Sequence, residues 1–159
     1  MSTFMAPFAA HASRGAPLVT PTGDQAIVMA DTHNTHGSLT VIELTNQPKN
    51  GPPLHSHATD DEVWYVLEGE YRFKAGDEMF HVSEGGMEFG PRGMPHCFQN
   101  VGTAPARLLI ITTPAGAEQY FEAFAQLPPG PIDPEALAAL APKSGIELLG
   151  PPLSVTDPL

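Results

Sequence analysis

The sequence contains a single cysteine, Cys97. That excludes an intrachain disulfide and a thiolate-rich zinc site, and nothing in the chain demands an oxidising compartment. Basic residues are scarce. Seven Lys and Arg stand against 18 Asp and Glu, a net charge of −11. No basic cluster occurs, so neither nucleic acid nor an anionic membrane surface is an expected partner. No stretch approaches the ~18 consecutive apolar residues of a membrane span. Met1 to Ala10 carry no basic residue and no apolar run of signal-peptide length, so the cytoplasm is the expected location. Charged residues make up only 16% of the chain and hydrophobic ones 42%, a balance that suits a globular domain and argues against wholesale disorder. The length of 159 residues suffices for one domain with a substantial core.

Proline (18) and glycine (15) together account for about one residue in five. Such a turn-rich chain favours many short strands over long helices. Gln25–Ala30, Ser38–Leu44, Glu62–Leu67, Glu70–Lys74, Glu78–Val82, Met87–Phe89, His96–Asn100 and Arg107–Thr112 each read as a strand. Each is rich in aromatic or β-branched residues and bounded by Gly, Pro, Asp or Asn, the pattern of a sandwich or barrel. Glu68-Gly-Glu70 and Ala75-Gly-Asp77 read as tight hairpin loops with glycine at positive φ. Crossover helices are missing between the strands, which excludes a parallel α/β sheet.

Three segments follow. Residues 1–24 read as a tail or arm, 25–113 as the barrel, and 114–159 as a helical and extended segment packing on it. Ala117, Phe121 and Phe124 fall near one helical face within 117–126. Asp133-Pro134 predicts an N-cap with proline at the first helical position, and Pro142 the end of that helix.

Chemistry concentrates in two windows, Gly51 to Gly69 and Gly85 to Asn100. On a strand, His55 and His57 share a face with Cα atoms ~6.8 Å apart, so both imidazoles can converge on one ion. An unbroken strand would put Glu62 on the opposite face, but a corner in the polar Ala58–Asp61 can re-aim it. Alternation then places Trp64 and Val66 with Glu62. His96 opens a later strand with Phe98 and Asn100 on its face, and Cys97 points away. Three histidines and one carboxylate suit a divalent first-row ion (Fe, Mn, Ni, Co, Cu or Zn) and require no thiolate. Such a filled site carries one net positive charge, which favours an enolate or phenolate oxygen. His33, His36 and His81 lie off this pattern and read as surface residues. Asn100 reads as a structural hydrogen-bonding residue.

The two windows resemble the paired signature motifs of the cupin superfamily. The first is His55-x-His57, four residues, Glu62, six residues, Gly69. The second is Gly85, five residues, Pro91-x-Gly93, two residues, His96, three residues, Asn100. One departure is Gly51, three residues before His55 where the usual gap is five; it shortens the loop leading in. The resemblance covers roughly Gln25 to Thr113. It implies an all-β, double-stranded β-helix (jelly-roll) barrel with short C-terminal helices. It also implies a metal held by His55, His57, Glu62 and His96.

The C-terminal segment is similar to that of small bacterial cupins of the quercetinase-like dioxygenase type. That likeness implies a metal-dependent dioxygenase. Its expected substrates are a small enolisable or phenolic molecule, flavonol- or diketone-like, and dioxygen. Glu62 would ligate the metal or take the substrate's hydroxyl proton. Trp64, Phe98 and Arg92 are candidate pocket residues. The resemblance also implies a homodimer, with the arm before Gln25 pairing across a two-fold axis. Two alternatives stay open: a non-redox isomerase, lyase or cyclase using the metal as a Lewis acid, and a non-catalytic small-molecule-binding barrel.

Overall fold

A computed structural model describes residues 6–159. Among the described residues, eleven strands form two antiparallel sheets. In chain order they are β1 (Leu18–Val19), β2 (Gln25–Ala30), β3 (Thr40–Asn46), β4 (Pro53–His57), β5 (Asp61–Glu68), β6 (Glu70–Ala75), β7 (Glu78–Ser83), β8 (Met87–Gly90), β9 (His96–Asn100), β10 (Ala106–Thr113) and β11 (Ile146–Pro152). One sheet runs β1-β2-β3-β10-β5-β8, the other β11-β4-β9-β6-β7. From β3 onward the chain passes repeatedly between them. This is the double-stranded β-helix expected from the sequence. Period-two patterning drives it: Ile42, Leu44, Trp64, Val66, Leu108 and Ile110 face inward. There they meet Tyr71, Phe73 and Phe98 of the other sheet in one core. Fully burying each such side chain contributes about 1.5–3 kcal/mol. Registers Trp64↔Ile110 and Ile110↔Ile42 stack these residues in a layer across three strands.

The two glycine turns differ. Ala75 pairs with Glu78 across Gly76-Asp77, with Gly76 at φ +58°, a two-residue hairpin as read from sequence. Glu68-Gly69-Glu70 is not a hairpin loop. It carries the chain from β5 in one sheet to β6 in the other. Gly69 is needed there because its φ is +87° and an added Cβ would lie 2.6 Å from the Ala106 Cβ.

Two strands lie outside the span Gln25–Thr113. β1 pairs with β2 of the same chain (Leu18↔Ala26). β11 pairs with β4, with register shifts around Gly150. It is an edge strand, and prolines 151 and 152 are tolerated there because an edge needs fewer N–H donors.

Two helices, α1 (Ala117–Phe124) and α2 (Pro134–Leu140), cap this end of the barrel. Phe124, Leu137 and Leu140 form a small second core with Tyr120, Leu127, Ile132 and Leu148. The buried Glu118 anchors α1, its carboxylate accepting from Thr32 N at 3.1 Å and from the Thr40 hydroxyl at 2.5 Å. Asp133 caps α2 by accepting from Glu135 N. Beyond Leu140 a 3-10 turn, Ala141–Ser144, takes the chain through Pro142 to Gly145.

Candidate metal centre

β4 supplies His55 and His57, β9 supplies His96, and both strands belong to the five-stranded sheet. Glu62 comes from β5 of the opposing sheet. The corner at Ala58–Asp60 turns the chain from one sheet to the other, so Glu62 faces the histidines. His55 and His96 are register partners, and their ring centroids lie 4.5 Å apart. Ligand atoms of all four residues lie within 4.8 Å of one another, in a group that could hold a metal ion.

Backbone carbonyls orient two of the rings. His55 Nδ1–H donates to Pro53 O at 2.7 Å and His96 Nδ1–H to Met94 O at 2.9 Å. Each such bond fixes the tautomer and leaves the Nε2 lone pair free for a ligand. On the outer side of His57, Nδ1 lies 3.7 Å from Asp60 Oδ2. Toward the centre, Glu62 Oε2 lies 3.1 Å from His57 Nε2 and 3.4 Å from His96 Nε2. None of these three buried atoms has a well-directed hydrogen bond among the described residues. Leaving a buried polar atom unsatisfied costs about 1–3 kcal/mol. Three converging on one point fit an ion better than they fit one another. The donor set, three imidazole nitrogens and one carboxylate, matches a first-row divalent ion.

The electrostatics of the four side chains follow from their crowding. Burial opposes ionisation of Glu62, but contacts with His57 and His96 outweigh it and hold the carboxyl well below its usual range. Burial, helped by the charge of His96, pushes His55 down to about 4. Burial also disfavours the charged form of His57, yet Glu62 and then Asp60 reverse the balance and raise it.

The cluster opens onto a cavity of about 100 Å³, narrow beside the roughly 300–1,000 Å³ typical of pockets for drug-sized ligands. Leu44, Phe98, Ile110, Phe121 and Phe124 are among its apolar lining residues. No Lys or Arg is among its lining residues.

Of the expected pocket residues, Phe98 lines this cavity. Trp64 and Arg92 do not. Trp64 is inward-facing but only 1% exposed. It packs edge-on beneath His96, centroids 4.9 Å apart, and so supports a ligand ring instead of meeting a substrate. Arg92 lies on the surface with its side chain 54% exposed. Its Nε and Nη2 donate to the Asp61 carboxylate at 3.1 and 2.8 Å, holding that carboxyl down at about 2. Asn100 is structural: Nδ2 reaches the carbonyls of Asn46, Gln47 and Ala104, and Oδ1 accepts from Gly102 N. His33 and His36 lie in a surface turn, and His81 is exposed. The sequence reading did not single out Asp60, nor the walls from Thr20–Asp24 and the C-terminal segment. Asp60 stands three residues after His57 in a polar corner, which was its available signal. The walls carry no motif.

A closed two-sheet jelly roll with three histidines and one glutamate converging inside defines a double-stranded β-helix barrel with a candidate metal centre. Residues 43–112 match the family model described as Cupin domain, and this part of the barrel is a cupin domain. An uncharacterized protein of Methanocaldococcus jannaschii is 34% identical over 61 residues, 38% of this chain and 49% of that protein; the match thus spans about half the relative's length. Among solved structures, a predicted oxalate decarboxylase from Thermotoga maritima aligns with a TM-score of 0.63 at 18% identity, covering 67% of this chain and 98% of that one. KdgF from a Halomonas species gives 0.62 at 17%, covering 69% and 94%. The polyketide cyclase RemF of Streptomyces resistomycificus gives 0.59 at 22%, covering 68% and 80%. These likenesses establish the fold. Among the described residues no helix is long and apolar enough to cross a membrane.

Proposed function

We propose that this chain is a metal-dependent cupin dioxygenase acting on a slender, neutral, enolisable substrate of the β-diketone type. The observation that carries this reading is the orphaned cluster of His57 Nε2, His96 Nε2 and Glu62 Oε2, beside a narrow, largely apolar cavity whose wall includes His55, His57 and Glu62. A divalent ion held by His55, His57, Glu62 and His96 supplies Lewis acidity toward a substrate oxygen and, when redox-active, a centre for dioxygen chemistry.

The protein's own residues narrow the substrate. With no cation on the cavity wall, a dianionic substrate such as oxalate finds no partner beyond the metal, whereas a neutral diketone needs none. The volume argues against a broad three-ring flavonol and for a slim chain. Glu62, ionised at neutral pH, can accept the enol proton at Oε2, the oxygen beside the two Nε2 atoms. Leu44, Phe98, Ile110 and the α1 aromatics exclude water around the reacting carbons.

The non-redox alternative, Lewis-acid isomerisation or cyclisation, uses the same ligands, and the likeness to a polyketide cyclase keeps it in view. Elemental analysis of protein purified without a chelating tag, followed by an oxygen electrode with β-diketones, separates the readings. Stoichiometric metal with diketone-dependent oxygen uptake supports the dioxygenase. Diketone turnover without oxygen uptake replaces it with Lewis-acid chemistry. No metal, even after reconstitution, refutes both.

A further inference from the structure

The cavity has a second polar end that the metal reading does not use. Thr20, Thr22, Asp24, Asn46 and Asn50 wall it. Asp24 is 8% exposed. Its Oδ2 accepts from Asn46 Nδ2 at 3.1 Å and Asn50 Nδ2 at 2.8 Å, and its Oδ1 from Gln47 N at 2.7 Å. Asn50 spends its other amide hydrogen on Thr22 Oγ1 at 2.9 Å. The two threonine hydroxyls lie 3.1 Å apart and share one hydrogen, and Thr20 Oγ1 also accepts from Asp24 N.

Valence counting shows what is left over. A carboxylate offers about four acceptor positions, and three are used. Asn50 Oδ1 has no protein partner among the described residues. One threonine hydrogen is unspent. This end therefore presents two open acceptors, a negative charge, one hydroxyl donor and no cation. Burial raises the Asp24 carboxyl above its ordinary value despite its three donors, so a further donor would relieve it.

Strand geometry separates the two ends. Asn100 N donates to Asn50 O, and Asn100 lies four residues along β9 from His96, roughly 13 Å at a strand's rise. Leu44, Phe98 and Ile110 line the cavity with both ends.

We propose that Asp24, Asn50 and the Thr20–Thr22 pair form a ligand subsite for a hydroxyl or ammonium group, the end of a slender substrate remote from the metal cluster. The subsite stands on its own polar geometry; only its assignment to the substrate's far end rests on the proposed function. It rejects a terminal carboxylate, which would meet Asp24 with like charge.

Two measurements test it. In metal-free, ¹⁵N-labelled protein, the side-chain amide signals of Asn46 and Asn50 are followed during titration with aminopropanol and, separately, butyrate. Saturable shifts with aminopropanol, none with butyrate, and their loss in the near-isosteric Asp24→Asn support the subsite. Should Asp24→Asn fail to fold, Thr22→Val serves in its place. Absence of saturable aminopropanol shifts, equal shifts with butyrate, or unchanged shifts in the variant overturn it. A purely structural Asp24 would change the melting temperature of the variant without producing any ligand preference.

The second measurement uses zinc-loaded protein and long-chain β-diketones ending in hydroxyl or methyl, read by calorimetry. A preference of about tenfold for the hydroxyl is expected from one buried hydrogen bond. Equal affinity overturns the assignment of the subsite to the substrate's far end and leaves the metal reading intact. Failure of both diketones to bind, with aminopropanol shifts preserved, sinks the diketone reading and keeps the subsite.

Discussion

Replacing His96 by alanine probes the cluster most directly, because His96 and Glu62 come from opposite sheets and meet only inside the closed barrel. The expected result follows from linkage. Free metal at a thousand times its dissociation constant stabilises the native state by about 4 kcal/mol. At about 2.1 cal/mol/K per residue, 159 residues give an unfolding entropy of ~0.33 kcal/mol/K, so loading raises Tm by about 12 °C. Losing even an outer partner of a ligand typically weakens metal binding 10–100-fold, and losing the ligand itself costs at least as much. A hundredfold loss leaves about 1.4 kcal/mol, or ~4 °C. The variant also has its own cost. Deleting a buried ring packed edge-on against Trp64 opens a cavity worth about 2–4 kcal/mol. The metal-free variant therefore melts lower than the metal-free wild type, and the informative quantity is the loaded-minus-unloaded difference for each. Calorimetry with and without cobalt(II), paired with elemental analysis, measures it. His81→Ala, on exposed β7, is the control and keeps the full shift. An undiminished shift and full metal stoichiometry in His96→Ala would refute the assigned centre.

Acidification should weaken the metal-free protein. His55 titrates near 4 when folded against 6.5 unfolded, so below 6.5 the unfolded chain takes up a proton that the folded chain refuses. Stability then falls with pH from 6.5 to about 4, by about 3 kcal/mol from this residue alone. His57, raised by Glu62, works in the opposite sense: its contribution is full below the unfolded value and fades as pH rises through the folded one. Urea midpoints across this window check the slope, which His55→Asn should flatten; an unchanged slope contradicts the assignment. Gly90→Ala should cost about 1–3 kcal/mol by overpacking and weaken metal binding. Its Cβ would lie 2.7 Å from Trp64 Cη2, and that ring backs onto His96; denaturant titration and metal affinity read both effects. Arg92→Ala should leave stability almost unchanged, because exposed, solvent-screened ion pairs contribute little. It should also leave diketone affinity unchanged; a large loss of affinity would return Arg92 to the substrate site.

The legible parts of this protein are those where chemistry imposes fixed local spacing. His55 and His57 had to be two apart to share a strand face, and Gly76-Asp77 announces a turn because two strands must reverse over two residues. What stayed hidden depends on partners distant in sequence. Gly69 carries the same signal as Gly76, positive φ between two strands, yet it serves a corner between sheets. Only the pairing of β5 with β10 and of β6 with β9 reveals the difference. Alternation also answers a coarser question than function asks. It put Trp64 inside, correctly, but the interior of a barrel has several walls, and the one Trp64 occupies lies behind His96 and not beside the cavity.

That distinction bears on how the site acquires specificity. Its ligands come from β4, β5 and β9, within the matched region 43–112, where motif spacing is tight. Much of the rest of its cavity wall comes from outside that region. Thr20, Thr22 and Asp24 precede it, and Tyr120, Phe121, Phe124, Ile132, Ile146 and Leu148 follow it. These segments meet: Gly130 N donates to Pro21 O at 2.9 Å, joining the C-terminal cap to the loop that carries Asp24. A barrel built this way can keep one metal chemistry while its two flanking segments alter the length and polarity of the cavity. Substitutions in 20–24 and 117–148 are therefore expected to change which substrate binds, and substitutions at His55, His57, Glu62 or His96 to change whether any metal-dependent reaction occurs. Comparing substrate preference with metal content across variants of both groups measures that separation, and coupled losses in the flanking group would contradict it.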